Sequence, residues 1–123
     1  RRIRRLYVLW LRQLEDLVHV VFDAINGRHE MQESQRMILA FHTRADSRIV
    51  DRLLLLETNP EGRAKIEKGR AAFYAFLPLC SRLTTTEEHL REALYHTTQA
   101  HDHAAGWVFN VRFPTDKYIP HEW

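Results

Sequence analysis

Histidines and arginines are the residues of this sequence whose types and spacing could carry chemistry. His89, His96 and His103 are seven residues apart, so on a helix they would share one face. A zinc site on a helix uses histidines at i and i+4 with a third ligand. His96 and His101 are five residues apart, which fits one helix poorly. We interpret the histidines as a polar, solvent-facing stripe and predict no metal site.

Arg91 and His96 form a second candidate, because four residues separate them. This spacing is similar to the RNase motif of HEPN domains, which are also small helical bundles. So short a pattern arises easily in a chain with 8 histidines and 18 lysines and arginines. Cys80 follows an apolar run, which predicts a buried rather than a reactive thiol. We therefore predict no enzyme activity and keep a HEPN-like RNase as a lesser alternative.

The first helix offers a third candidate, in the segment RRIRRLYVLWLRQLEDL. At 100° per residue, Arg1, Arg5 and Arg12 fall on one stripe with Val8 beside them. This stripe is rotated away from the apolar face of the helix. It is either an ordinary solvated face or a dock for an acidic helix of a partner.

Helices must position these residues, since the chain has only 4 glycines and 4 prolines. Apolar residues recur at three- and four-residue steps over 2–25, and Asn26-Gly27 ends that helix. A second helix is predicted over 30–43. Asp46 is predicted to be the N-cap residue of a third helix.

The second half of the chain is also predicted to be helical. Asn59-Pro60-Glu61 predicts a kink or a new helix start, with Pro60 in a first-turn position. Thr85 and Glu88 have the spacing of a capping box that opens a helix over about 85–105, which Gly106 ends. Residues 107–123 are predicted to be an extended aromatic tail.

Composition limits the classes that remain. With 123 residues, 45% hydrophobic and 28% charged, the chain suits one soluble domain. A net charge of +2 is too small to favour non-specific nucleic-acid binding, so no nucleic-acid partner is expected. No apolar run reaches about 18 residues, and we expect no membrane-spanning segment. The chain does not begin with Met, so we also expect residues to precede Arg1.

Two segments of the sequence resemble the LYR-motif family, and within it the accessory subunits of mitochondrial respiratory complex I. The family opens with paired basic residues, Leu-Tyr-Arg, an aromatic residue two positions later and a further arginine. The matching positions here are Arg1-Arg2, Leu6-Tyr7-Val8, Trp10 and Arg12. Val8 replaces the arginine of the triad. We expect Arg5 and Arg12 to make the ion pairs that the family's arginine makes with its partner, an acyl carrier protein. The alternative is that this chain no longer binds the carrier.

The second segment is DSRIVDRLLLLE, which is similar to the family's Asp-Pro-Arg-Val-Val-Asp block. Asp46, Arg48, Val50 and Asp51 match that block, and Phe41 stands where the family has a downstream phenylalanine. The resemblance extends over about residues 1–60. It implies an all-α fold: a three-helix LYR-type bundle over 1–80 and a C-terminal extension over 81–123, together a single domain.

The resemblance also implies a function, a partner and a set of site residues. LYR proteins bind acylated mitochondrial acyl carrier protein, whose 4'-phosphopantetheine-linked acyl chain enters the bundle; the protein has no cofactor of its own. Carrier binding is thereby expected at Arg1, Arg5, Leu6, Tyr7, Val8, Arg12 and Arg48, and an acyl-chain channel at Leu6, Trp10 and Phe41.

The expected role is therefore that of a non-catalytic complex I subunit. It would contact other complex I subunits, buttress the matrix arm, and lie peripherally on the matrix side of the mitochondrial inner membrane. The alternative within the family is an assembly factor for a respiratory complex or for iron–sulfur clusters.

Overall fold

The structure is a computed structural model that describes residues 2–27, 33–74 and 86–114. Its described elements are helical, which confirms the prediction of an all-α protein. They are α1 (Arg2–Gly27), α2 (Glu33–Leu56), α3 (Pro60–Phe73), α4 (Glu87–Trp107) and a π-helical turn (Val108–Arg112).

Helix α1 lies in the middle of the bundle, between α2 and α4. Its apolar residues at three- and four-residue steps form a broad stripe that both neighbours cover. Residues of this stripe with no exposed surface are Tyr7, Leu11, Leu14, Leu17 and Val21. Helix α3 packs against α4 and α2. The predicted first helix is therefore confirmed, and it ends two residues later than predicted.

Helix α2 is continuous, so the predicted break before Asp46 is wrong. Its buried residues follow steps of four and three and include Asp46 itself: Leu39, Thr43, Asp46, Val50 and Leu53. Thr43 donates a hydrogen bond to the carbonyl oxygen of Leu39 at 2.7 Å, so this polar residue stays within the helix. Asp46 lies on the core face in the middle of a helix, where its preference for N-cap positions is not used.

Helix α3 begins at Pro60, so of the two predicted alternatives, a kink or a new helix start, the structure has the new start. The Asn59 side chain accepts a hydrogen bond from the Glu61 N–H at 3.0 Å and so caps the first turn. Gly69 lets α3 approach α1 closely, because a Cβ atom there would lie 2.5 Å from Cζ2 of Trp10. Cys80, which was predicted to be buried, lies outside the described residues.

Helix α4 differs from the prediction at both ends. Its capping box is formed by Thr86 and His89, not by Thr85 and Glu88: the His89 N–H donates to the Thr86 hydroxyl at 3.2 Å. The helix passes through Gly106 and ends at Trp107. Helix α4 contacts α1 about as extensively as α2 does, so the predicted extension supplies a major part of the bundle core.

The segment after α4 is not extended over its first part. Residues 108–112 form the π-helical turn, and the Phe113 N–H donates to the Val108 carbonyl at 2.7 Å. Val108 and Phe113 are buried. The predicted tail from 115 onward lies outside the described residues. None of the described helices combines the length and apolar composition needed to cross a membrane.

Candidate functional site

A pocket of about 420 Å³ lies where the N-terminal end of α1 meets the C-terminal end of α2. We call it the head pocket. It is lined by three arginines and three leucines: Arg2, Arg5, Leu6, Arg52, Leu55 and Leu56. None of the described residues that line it is acidic, so the pocket combines positive charge with an apolar wall. Leu55 is 83% exposed, which leaves apolar surface open to a ligand.

Helical spacing brings these side chains together. Arg2, Arg5 and Leu6 follow one another at i, i+3 and i+4, and so they share a face of α1. Arg52, Leu55 and Leu56 repeat the same steps on α2. The two helices run antiparallel, because the first residues of α1 lie beside the last residues of α2.

A buried polar cluster lies directly behind this pocket, built on Tyr7 and Glu57, the residues that follow Leu6 and Leu56. The Tyr7 hydroxyl donates to Oε2 of Glu57 at 2.5 Å. Arg112 Nε donates to the same oxygen at 3.2 Å, and the Asn59 N–H donates to Oε1 at 3.1 Å. Tyr7 has no exposed surface and Glu57 only 1%. The cluster therefore ties α1, the end of α2 and the π-helical turn together.

The electrostatics of the cluster hold Glu57 as a carboxylate. Burial alone would raise the pKa of Glu57, but hydrogen bonds from Tyr7, Arg112 and the Asn59 N–H lower it below its ordinary value. Burial raises the pKa of Tyr7, and the neighbouring Glu57 carboxylate raises it further. Tyr7 is thus a fixed neutral donor, with its ring packed at 6.1 Å from the rings of both Trp107 and Phe113.

The end of α2 is fixed by a second set of hydrogen bonds. Arg63 of α3 donates through Nη1 to the carbonyl oxygens of Leu54 at 2.5 Å and of Glu57 at 2.9 Å. A guanidinium in this position satisfies carbonyls that have no partner within the helix. The turn that carries Leu55 and Leu56 is therefore fixed both by the Glu57 cluster and by Arg63.

The residues predicted for carrier binding fall into different environments. Arg5 and Leu6 line the head pocket. Tyr7 belongs to the buried cluster and has no exposed surface. Val8 and Arg12 are half-buried on α1, and Arg48 is exposed on α2. Arg1 lies outside the described residues.

The three residues predicted for the acyl-chain channel do not share one environment either. Leu6 lines the head pocket, and Trp10 is buried in the core with 1% of its surface exposed. Phe41 is 59% exposed on α2, where its ring contacts His42 edge-on at 5.5 Å between centroids. An interior channel would require Phe41 to be buried.

Sequence reasoning missed four residues of the head pocket: Arg2, Arg52, Leu55 and Leu56. The repeated spacing Arg-x2-Leu-Leu at 52–56 was available as a signal, because it matches the Arg2, Arg5 and Leu6 steps on α1. The partnership of Glu57 with Arg112 spans 55 residues and had no local signal.

Arg91 and His96 are not brought together. Arg91 donates to Oε1 of Glu87 at 2.7 Å on the exposed side of α4, whereas His96 lines a different cavity, between α3 and α4.

Comparisons of the chain with protein families, with curated proteins and with solved structures found no match, so the functional argument stands on the head pocket.

Proposed function

We propose that this protein is a non-catalytic accessory subunit of mitochondrial NADH:ubiquinone oxidoreductase (complex I) that docks acylated mitochondrial acyl carrier protein. The observation that carries the proposal is the head pocket, in which three guanidinium groups surround exposed leucines. An acyl carrier presents an acidic helix, a phosphate and an apolar chain. The head pocket offers a complementary group for each of these three features.

The arginines supply the polar half of this recognition. Arg2, Arg5 and Arg52 can pair bidentately with carboxylates or with the phosphate of the prosthetic group. Within the described part of the chain, no carboxylate lines the pocket to compete with an anionic ligand. These arginines supply positive charge near Val8, which stands where the family motif has an arginine.

The leucines supply the apolar half. Burying each methylene of an acyl chain against Leu6, Leu55 and Leu56 contributes about 0.8 kcal/mol. The volume of about 420 Å³ falls within the range of small-molecule sites. In this proposal the chain enters at the head pocket, and helices α1–α3 form the LYR-type bundle that α4 completes.

The location and the other partners follow from the same resemblance. The protein would lie on the matrix side of the mitochondrial inner membrane, contact other complex I subunits and buttress the matrix arm. An LYR-class assembly factor would use the same pocket. Co-migration with complex I in native fractionation of mitochondria distinguishes the two, since an assembly factor does not stay with the mature complex.

Capture of acylated carrier by the purified protein tests the proposed interface. Arg5→Glu together with Arg52→Glu should abolish capture, because both changes place carboxylates against an acidic helix. Arg44→Glu is the matched control: Arg44 is exposed on α2 and does not line the pocket, so capture should persist. Capture that survives the double change, with circular dichroism unchanged, would place the interface elsewhere.

A further inference from the structure

We propose that a second cavity, between α3 and α4, binds the phosphate group of a small phosphorylated molecule. We call it the lysine cavity; its volume is about 170 Å³. Its walls carry Lys65 and Lys68 from α3 and His96, Gln99 and His103 from α4. None of these residues lines the head pocket, so this inference is independent of the proposed function.

The charge of the lysine cavity selects an anion. Lys65 and Lys68 carry ammonium groups on one wall, and no acidic side chain from residues 2–27, 33–74 or 86–114 lines the cavity. A lysine ammonium offers three donors and no acceptor, and it binds phosphate well as a point charge. A metal cation would be repelled by the same two lysines. Among the described residues, no three His, Cys, Asp or Glu side chains come together to hold one.

The opposite wall adds further hydrogen-bond donors at helical spacing. His96, Gln99 and His103 lie at i, i+3 and i+7, which places them along one side of α4. Imidazole and amide N–H groups can each donate to a phosphate oxygen. The face that the sequence indicated as a solvated histidine stripe therefore borders a cavity.

The floor of the cavity limits the size of the ligand. It consists of the small residues Gly69, Ala100 and Ala104, beneath which Trp10 packs against Gly69. A cavity of about 150 Å³ holds benzene, which has six heavy atoms. The lysine cavity, which is open to solvent on one side, therefore has room for a phosphate group with a short carbon stub. This favours a small phosphate monoester over a nucleotide or a polymer.

Titration of the ¹⁵N-labelled protein with inorganic phosphate and with glycerol 3-phosphate, at constant ionic strength, tests the assignment by NMR. We expect saturable shifts of the Gly69, His96 and Ala100 amides, with the ester binding at least as tightly as phosphate. Lys65→Gln with Lys68→Gln should weaken binding about tenfold, since each loses one charged contact. Arg44→Gln, which removes an exposed charge outside the cavity, should leave affinity unchanged.

A second variant separates the cavity from its charge. Ala100→Leu keeps both lysines but fills the floor, and it should abolish saturable binding while the helical circular dichroism is retained. Equal binding by wild type and by Ala100→Leu would mean diffuse attraction to a basic surface and would overturn the proposal. So would the absence of shifts with either probe, or binding of phosphate that excludes the ester.

Discussion

Glu57 and Asp46 are carboxylic acids at different places in the bundle, each with only 1% of its surface exposed. Glu57 accepts hydrogen bonds from Tyr7, Arg112 and the Asn59 N–H. Asp46 is buried with no hydrogen bond to its Oδ1 atom. Burial raises the pKa of Asp46 to about 7, although Arg70 counteracts this, whereas the pKa of Glu57 is lowered. Two acids with equally little exposed surface thus differ in acidity, because Asp46 is the more strongly desolvated and Glu57 receives hydrogen bonds.

The largest expected effect comes from removing the better satisfied of the two acids. Glu57→Ala should lower the free energy of unfolding by about 3–5 kcal/mol, because it leaves the Tyr7 hydroxyl and the Arg112 guanidinium without their partner. Urea denaturation measures the loss. Glu92→Ala, the same change on the exposed surface of α4, should stay within about 0.5 kcal/mol of wild type. Equal losses in both variants would contradict the importance of the buried cluster.

The second effect is the pH dependence of stability. The pKa of Asp46 in the folded protein is about 7, above its ordinary 3.8, so the folded state binds the proton more tightly. Its contribution to stability is therefore complete below about pH 4 and is lost as the pH rises through about 7, at about 1.4 kcal/mol per pH unit. Glu57 acts in the opposite sense: its contribution is present above its ordinary pKa of 4.5 and is lost in more acidic solution.

Urea denaturation of wild type and of Asp46→Asn between pH 5 and 7 isolates the Asp46 contribution. The asparagine cannot ionise, so the decline attributed to Asp46 should disappear in the variant. Parallel curves for the two proteins would show that Asp46 titrates normally. The chosen pH range lies above the window in which the contribution of Glu57 changes with pH.

The third effect tests how rigidly Glu57 is held. A Cβ atom at Gly62 would lie 2.8 Å from Oε2 of Glu57, an oxygen that Tyr7 and Arg112 fix in place. Gly62→Ala should cost about 1 kcal/mol, since overpacking of about 2 kcal/mol exceeds the helical preference of alanine of about 1 kcal/mol.

Two controls identify the cause of that loss. Gly106 lies within α4, and among the described residues the atom nearest to an added Cβ would be Asn110 Nδ2 at 4.0 Å, so Gly106→Ala should stabilise the protein by about 0.5–1 kcal/mol. In the Glu57→Ala background, Gly62→Ala should also become stabilising. A Gly62→Ala penalty that persists without the Glu57 carboxylate would mean that another group is displaced.

The same contrast explains what the sequence could predict. Periodicity identified α1, and the Asn59-Pro60 signal identified the start of α3, because both depend on neighbours within a few residues. Asp46 was misread as a helix cap. An aspartate after Thr43-Arg44-Ala45 looks the same locally whether it opens a helix or lies buried within one. Only the packing of α2 distinguishes these cases.

Contacts between residues that are far apart in the sequence could not be predicted from local sequence patterns, for the same reason. His101 Nε2 lies 3.2 Å from Oε1 of the fully buried Glu15, although 86 residues separate them. The segment around Phe113 was predicted to be extended because residues 107–123 contain Pro114, Pro120 and five aromatic residues, yet Phe113 packs on Tyr7. For the head pocket, the sequence indicated Arg5 and Leu6 on α1, while the α2 side depended on how the two helices meet.

The smallest expected effect is at the exposed pair of Arg91 and Glu87, and it shows why distances alone mislead. Arg91 donates to Glu87 at 2.9 and 2.7 Å, closer than the 3.2 Å between Arg112 Nε and Glu57. A ranking by distance would make the exposed pair the stronger one. Yet water and salt screen it, so Arg91→Ala should lower the free energy of unfolding by only about 0.3–0.5 kcal/mol. The loss should be smaller still in 1 M salt, where the Debye length is only about 3 Å. If urea denaturation gave a loss comparable to that of Glu57→Ala, burial would not be what makes the Glu57 cluster strong.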